Sequence, residues 1–439
     1  MTADPFLDPV PPTHDAAPTQ GLWRNGAFVR VWSAATVSMF GSFVTRIALP
    51  FVAILVLRAG PIEIAVLRSL DLVAALLVGF VAGAWVDRLR RRPVLIWADL
   101  GRAALLGSIP IAALGGWLTL PQVFIVSASA GVLTTFFDVA DRAYLPSIVR
   151  RAELVRANAV LAATSASMEF AAFGIAGFLV SLLTAPIAIA IDAGSFLVSA
   201  VLLGSIRRPE APPPPAADRE PVLDEIRTGL RLVIHDPVLR GLAWGSMGLA
   251  AMWGVFGATW LLFITDGLHL GPATIGVIAA LGGFGSLLGA LLAERTTRRF
   301  GVGSVMVVSL LGAAAGNFLI PLAPADLPLI AIACLVGQQL IGDTAVTVYG
   351  VTEVSVRQSR VADRQLGRVN ATVRVAVVVA QLGGTLVGGL FGEVVGLREA
   401  AFLAPFGALL GAILVFRSPV RRLGRIGAPE ITTPAIETP

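Results

Sequence analysis

The chain has 439 residues, 56% of them hydrophobic and only 14% charged, which excludes a soluble enzyme and a protein held by a single anchor. Its formal net charge is +5 and all 33 Lys-or-Arg positions are arginine, so there is no lysine for a phosphate-binding loop or a Schiff base, and no built-in ATPase. A lone cysteine, Cys334, excludes an intrachain disulfide and a cysteine-based metal cluster, and no pattern resembles a nucleophile triad or another metal site. No cofactor, no metal and no enzymatic chemistry are expected.

Apolar runs of about 20 residues, the length needed to cross a bilayer, recur at 30–57, 62–86, 93–116, 121–141, 157–182, 185–206, 238–265, 271–293, 302–323, 328–350, 369–394 and 399–417. Twelve runs place both termini on one side. Arginines crowd alternate connections, at 88–92, 142–156, 207–240, 295–299 and 357–368, and both tails, whereas Arg58, Arg68 and Arg398 sit at the opposite ends. Short cytoplasmic loops retain arginine, so the termini are read as cytoplasmic, and the positive charge reflects topology and not nucleic-acid binding.

Residues 1–27 carry Asp4, Asp8, Pro9 and Pro11 and read as a disordered tail. The first span is interrupted by Arg46, a charge that must face a partner or water. Arg68 and Asp71 share a face of span two near its outer end and read as a local ion pair. Gly83-Ala-Trp-Val-Asp-Arg-Leu-Arg-Arg-Arg92 then forms a short loop at the membrane surface. Asp99 and Arg102, at the start of span three, read as a brace for that loop. Glu169 lies in span five ahead of Gly174 and Gly177, small residues that permit close helix approach, and Asp192 lies in span six.

Residues 209–221 are proline-rich and mark the boundary between two halves, 28–208 and 238–418. Within the 209–237 linker, Ile226, Leu230, Val233 and Ile234 recur at helical spacing with Arg227 and Arg231 off that stripe, which predicts a helix lying on the anionic cytoplasmic face. Residues 419–439 form the C-terminal tail. The second half repeats the first: Leu154-Val-Arg156-Ala-Asn158-Ala159 returns as Leu366-Gly-Arg368-Val-Asn370-Ala371. At the same offset Asp141 meets Glu353, Glu169 meets Gln381 and Gly177 meets Gly389. Asp87-Arg88 with Arg91 and Arg92 returns as Glu294-Arg295 with Arg298 and Arg299.

These features resemble the major facilitator superfamily of secondary transporters. Its loop signature, Gly-x-x-x-Asp-Arg-x-Gly-Arg-Arg, is matched by Gly83, Asp87, Arg88, Arg91 and Arg92, with Arg90 in place of the second Gly. The Leu-Val-Arg-Ala-Asn pattern and Asp192-Ala-Gly-Ser-Phe196 are similar to a bacterial exporter branch that contains macrolide and siderophore exporters. The resemblance implies an all-α membrane fold of two pseudo-symmetric six-helix bundles, with spans 1, 4, 7 and 10 lining a central cavity and spans 3, 6, 9 and 12 facing lipid.

Intramembrane ionisable groups then rank as candidates. Glu169 and Asp343 are the expected proton carriers, with Arg46 as the cation that gains and loses a carboxylate partner, and Asp192 as an alternative partner whose outer position suits packing. Gln381, the twin of Glu169, cannot titrate. Trp253, Phe256 and Trp260 share one face of span seven, where they either pack between helices or line the cavity. Asp87 is expected to meet the amino end of span eleven at Gly367-Arg368, and Glu294 that of span five at Arg156-Ala157, as a paired cytoplasmic gate. The expected function is proton-driven efflux of a small amphipathic compound across a bacterial inner membrane by a monomer. The alternatives are a lysophospholipid flippase of the same fold and a non-transporting sensor.

Overall fold

In the computed structural model the described residues are 21–86, 88–150, 153–207, 210 and 222–424. The N-terminal tail up to residue 20, most of the proline-rich stretch, Asp87 and the C-terminal tail from 425 lie outside them. The first half contains α1 (Gly26–Phe51), α2 (Pro61–Val86), α3 (Arg91–Leu114), α4 (Leu120–Ile148), α5 (Leu154–Leu183) and α6 (Ala185–Gly204). After the connecting α7 (Val222–His235), the second half contains α8 (Pro237–Leu262), α9 (Pro272–Phe300), α10 (Val302–Leu322), α11 (Pro328–Gln338), α12 (Thr344–Arg360), α13 (Asp363–Val394), α14 (Leu397–Ala401) and α15 (Ala404–Arg417). A π-turn, Gln339–Asp343, joins α11 to α12 as one span, and α14 and α15 together form the last.

Among the described residues ten helical spans are long and apolar enough to cross a membrane, and α5 is an eleventh with a 45° bend. With α2, 26 residues long, they make the twelve spans of the major facilitator arrangement. Several helices run past the apolar stretches at their arginine-rich ends, α4 to Ile148 and α12 to Arg360, because polar helix formers continue the hydrogen-bond ladder once it leaves lipid.

The repeat extends into backbone detail. Asn25 caps α1 by accepting from the amides of Ala27 and Phe28, and Asp236 caps α8 by accepting from those of Val238 and Leu239. Each of these helices ends in a π-turn, Val52–Val56 and Phe263–Gly267, followed by a non-glycine residue at positive φ, Arg58 (57°) and His269 (54°). Gly60-Pro61 and Gly271-Pro272 then open α2 and α9. A constant offset of 211 connects all these pairs, which the sequence repeat at 212 had only approached through spans five and eleven.

The two halves share one apolar core at the arginine-poor end, where Val44, Ile54 and Leu67 pack with Ile264, Leu268 and Ile275. At the arginine-rich end each half has its own core, around Phe28, Leu95 and Tyr144 in one and around Leu242, Met306 and Tyr349 in the other. Two symmetric glycine contacts seal the shared end. A Cβ on Gly177 would lie 2.7 Å from the Gly276 Cα and collide with the Pro272 carbonyl. On Gly389 it would collide with Ala65 and lie 3.1 Å from the Pro61 carbonyl. Close approach here requires glycine, as expected for small residues at a membrane helix interface.

The amphipathic α7 packs on the second half. Gly229 lies against the Arg368 carbonyl and Thr372 of α13, and Val233 is buried, while Leu230 and Ile234 remain about half exposed beside Arg227 and Arg231. Asp236 also pairs with Arg360 at 2.7 Å, tying the end of α7 to α12.

Candidate transport cavity

A cavity of about 630 Å³ lies between the halves, walled mainly by α1, α2, α3, α4 and α6, with Asn370, Arg374 and Val378 of α13 closing the far side. Leu49, Pro50, Leu67 and Leu106 make its apolar part. Arg46, Arg68, Asp71, Arg102, Asp138, Arg142, Asp192 and Arg374 bring charge to it. Such a volume suits a drug-sized compound, and the mixture of apolar wall and a few charges suits an amphipathic one.

Arg46 and Glu169 pair across α1 and α5 at 3.6 Å, both about half exposed. Arg68 and Asp71 form no ion pair within 4 Å. Instead Asp71 accepts a 2.6 Å hydrogen bond from Ser127 of α4, the Arg68 Nε is buried without a partner, and both side chains border the cavity. The local pair read from their spacing is therefore replaced by two separate cavity groups: residues three apart share a helix face, and this face meets α4 and the cavity.

Asp99 and Arg102 do not brace the loop. Both are buried in the first half, Arg102 donating to Asp99 with its guanidinium 4.3 Å from the Phe137 ring and 4.1 Å from that of Phe196. The loop is held by Glu210, a residue of the proline-rich linker. Its carboxylate accepts from the Arg91 and Arg92 backbone amides at 2.7 and 3.1 Å, satisfying the free amino end of α3. Arg92 adds bonds to the Leu203 and Gly204 carbonyls of α6, and Arg91 an ion pair to Glu210 at 3.7 Å. Arg90, standing where the family signature has Gly, sits in extended backbone at φ −69°, so no glycine is needed there. An acidic residue just beyond span six was the available signal.

Asp192 is fully buried against α1 and α3 and does not face lipid. Its carboxylate fills the notch left by Gly41 of α1, accepts from Ser195 at 3.0 Å and borders the cavity. Asp343 sits in the π-turn against Gly282 of α9 with Gln339 beside it, away from the cavity wall. Here the repeat is crossed. At the offsets of 211 and 212, Asp71 corresponds to Gly282, Gly131 to Asp343 and Ser127 to Gln339. Each half thus places one carboxylate opposite one glycine, on span two in the first half and on span ten in the second.

Gln381 is partly buried on α13, its carbonyl packed against Gly254 of α8 and accepting from Thr385. Trp253, Phe256 and Trp260 form a ladder, with ring centroids 4.9 and 5.3 Å apart, that packs onto the two apolar cores and does not border the cavity. At the arginine-rich end Glu294 pairs with Arg298 of its own helix at 3.5 Å, largely exposed, and Arg88, Arg156, Arg295 and Arg299 are exposed too. Arg368 is half-buried and offers its carbonyl to Thr372. Gly83 lies within α2; its partner in the gate reading, Asp87, is outside the described residues. The contact of Glu294 with the amino end of α5 is absent from this state, in which the halves meet at the other end.

Two six-helix bundles related by an internal repeat, joined at one end over a charged central cavity, define a major facilitator transporter. Solved structures agree in fold. A bacterial homologue of the iron transporter ferroportin in an inward-facing state superposes with a TM-score of 0.69 at 19% identity, covering 91% of this chain and 99% of that one. The nucleoside transporter NupG, as a D323A mutant, gives 0.71 at 13% identity over 89% and 98%.

The chain belongs to the transmembrane secretion effector family, whose sequence model matches residues 17–433. Among its relatives, the multidrug efflux pump Tap of Mycolicibacterium fortuitum is 27% identical over 92% of this chain and 99% of its own. The enterobactin exporter EntS of Escherichia coli O1:K1 is 26% identical over 82% and 84%. The family and these relatives are membrane transporters.

Proposed function

We propose that this protein exports a small amphipathic compound across a bacterial inner membrane by alternating access, driven by protons moving inward. The cavity carries this reading: it combines an apolar part with charges drawn mostly from one half, and the halves around it share a core at a single end. The arginine-rich end, with both termini, is the cytoplasmic one by the retention of arginine in cytoplasmic loops, so this state loads from inside. Efflux-named relatives support the direction.

Coupling needs a carboxyl whose charge changes with state. The Arg46–Glu169 pair bridges α1 and α5, and no cation acts on Asp343 among the described residues, so each can take a proton when its surroundings change. In the opposite state Glu294 exchanges Arg298 for the amino end of α5, and Asp87 meets that of α13, closing the cytoplasmic side. The test is ethidium efflux from cells expressing the protein, beside a drug-susceptibility panel. Efflux that a protonophore abolishes, and that Glu169→Gln or Asp343→Asn reduces at least tenfold, supports coupling. Undiminished efflux with protonophore present excludes it, and an unchanged susceptibility profile with lysophospholipid movement would move the substrate class to lipids.

A further inference from the structure

The first half holds a buried charge cluster at the cavity wall to which the proton coupling above assigns no role. Asp99 and Arg102 of α3 and Asp192 of α6 are 0%, 3% and 0% exposed. The guanidinium is fixed between the Phe137 and Phe196 rings and bonded to one oxygen of Asp99. Asp192 feels the same guanidinium and accepts a hydrogen bond from Ser195 on one oxygen, with the Thr45 hydroxyl of α1 beside it, as the Ser199 hydroxyl lies beside Asp99. The second oxygen of each carboxylate, Oδ2 of Asp99 and of Asp192, is buried without a hydrogen-bond partner, as is the Arg102 Nε.

The surrounding helices do not correct the balance. Against Asp192, α1 presents Gly41 and the neutral hydroxyl of Thr45, and Arg46 of the same helix is held by Glu169 of α5. From α4 come two further carboxylates, Asp138 and Asp141, with Arg142, and from α13 comes Arg374, whose field reaches Asp138. The buried trio therefore contains two carboxyl groups for one guanidinium. A second unpaired negative charge in this interior is strongly unfavourable, and a proton taken up from water removes it by converting one carboxylate to a carboxylic acid. Two carboxyls around one cation then hold that proton as a unit.

We infer that Asp99, Arg102 and Asp192 form a buried proton-binding site that exchanges with water through the central cavity. The free Oδ2 atoms are where the proton sits, and Arg102, Asp192 and Phe196 border the cavity, which supplies the route. Gly41 gives the site a mechanical outlet. The carboxylate of Asp192 occupies the notch of α1, and α1 carries Arg46 five residues further on, so charging Asp192 acts on the helix that holds the Arg46–Glu169 pair. That role in transport rests on the proton coupling proposed above; the protonation itself does not.

Infrared difference spectroscopy of the full-length protein in lipid nanodiscs reads the proton directly. At neutral pH a carboxylic-acid C=O band is expected that shifts on transfer to D2O. Asp192→Asn should remove it, and Ser195→Ala, which keeps the carboxyl and deletes its hydroxyl donor, should move its frequency. Glu169→Gln and Asp343→Asn should leave it in place. A carboxylic-acid spectrum identical in the wild type, Asp192→Asn and Ser195→Ala overturns the site, and a band that fails to shift in D2O overturns the exchange route. Should Asp192→Asn not fold, the Ser195→Ala shift decides alone. An intact, exchanging band in a protein that moves no protons during efflux would overturn the coupled export and not the site.

Discussion

The two halves share one frame and differ in what they place on it. Caps at Asn25 and Asp236, π-turns after α1 and α8, positive φ at Arg58 and His269, and glycine seams at Gly177 and Gly389 repeat at offsets of 211 and 212. The charge placed deeper in the spans does not repeat. The first half buries or half-buries Arg46, Arg68, Asp99, Arg102, Glu169 and Asp192, and at the offset of 211 Arg46 and Arg68 meet Gly257 and Ala279. The shared frame is symmetric, and the unshared charge gathers on the first half's side of the central cavity.

Removing Arg102 should break this difference hardest. Arg102→Leu leaves two buried carboxyls without a cation, and losing one partner of a buried ion pair destabilises by about 3–5 kcal/mol. The expected result is a large fall in thermal denaturation temperature in detergent, with Ser309→Leu, at the corresponding place in the second half at the offset of 207, far milder. The glycine seams test the frame itself. Gly177→Leu and Gly389→Leu should each reduce ethidium efflux at least tenfold by prying open the sealed end, and to the same degree. Unequal effects would mean that the two contacts are not equivalent.

A smaller effect is expected at the gate. Glu294→Gln weakens a charge-assisted contact worth about 1–3 kcal/mol, which corresponds to a shift of roughly five- to 150-fold toward the state open at the arginine-rich end. Faster modification of a cysteine placed at Asn370, in the cavity wall, reads that shift. The smallest belongs to Arg298→Gln: its side chain is 70% exposed, and an exposed pair of this kind contributes little, so stability should move by less than about 0.5 kcal/mol.

The spans, the division into halves and the glycine seams were legible in the sequence, because lipid demands long apolar runs and close helix contact demands small residues. The Arg46–Glu169 pair was legible for a related reason, since a charge at membrane depth needs a partner. The ion pair expected of Arg68 and Asp71 does not form, because helix spacing tells which residues share a face and not what that face meets, while Asp192 packs inside its bundle, as its expected packing role requires. Asp71 turns to Ser127 of α4, and Asp192 turns inward because Gly41 leaves it room on α1. The crossing of Asp71 and Asp343 onto opposite spans is invisible until the repeat is laid over the helix contacts. Glu210 was missed as one acidic residue in a proline-rich stretch, and its role appears only where α6 returns beside the amino end of α3.

Proton movement during export can be followed in proteoliposomes that contain the protein and a trapped pH indicator. Adding ethidium on the side of the arginine-rich loops should drive a counterflow of protons that Glu169→Gln diminishes and Arg298→Gln leaves intact. Ethidium crossing at the same rate with no proton movement, and without response to an imposed pH gradient, would contradict proton-driven export.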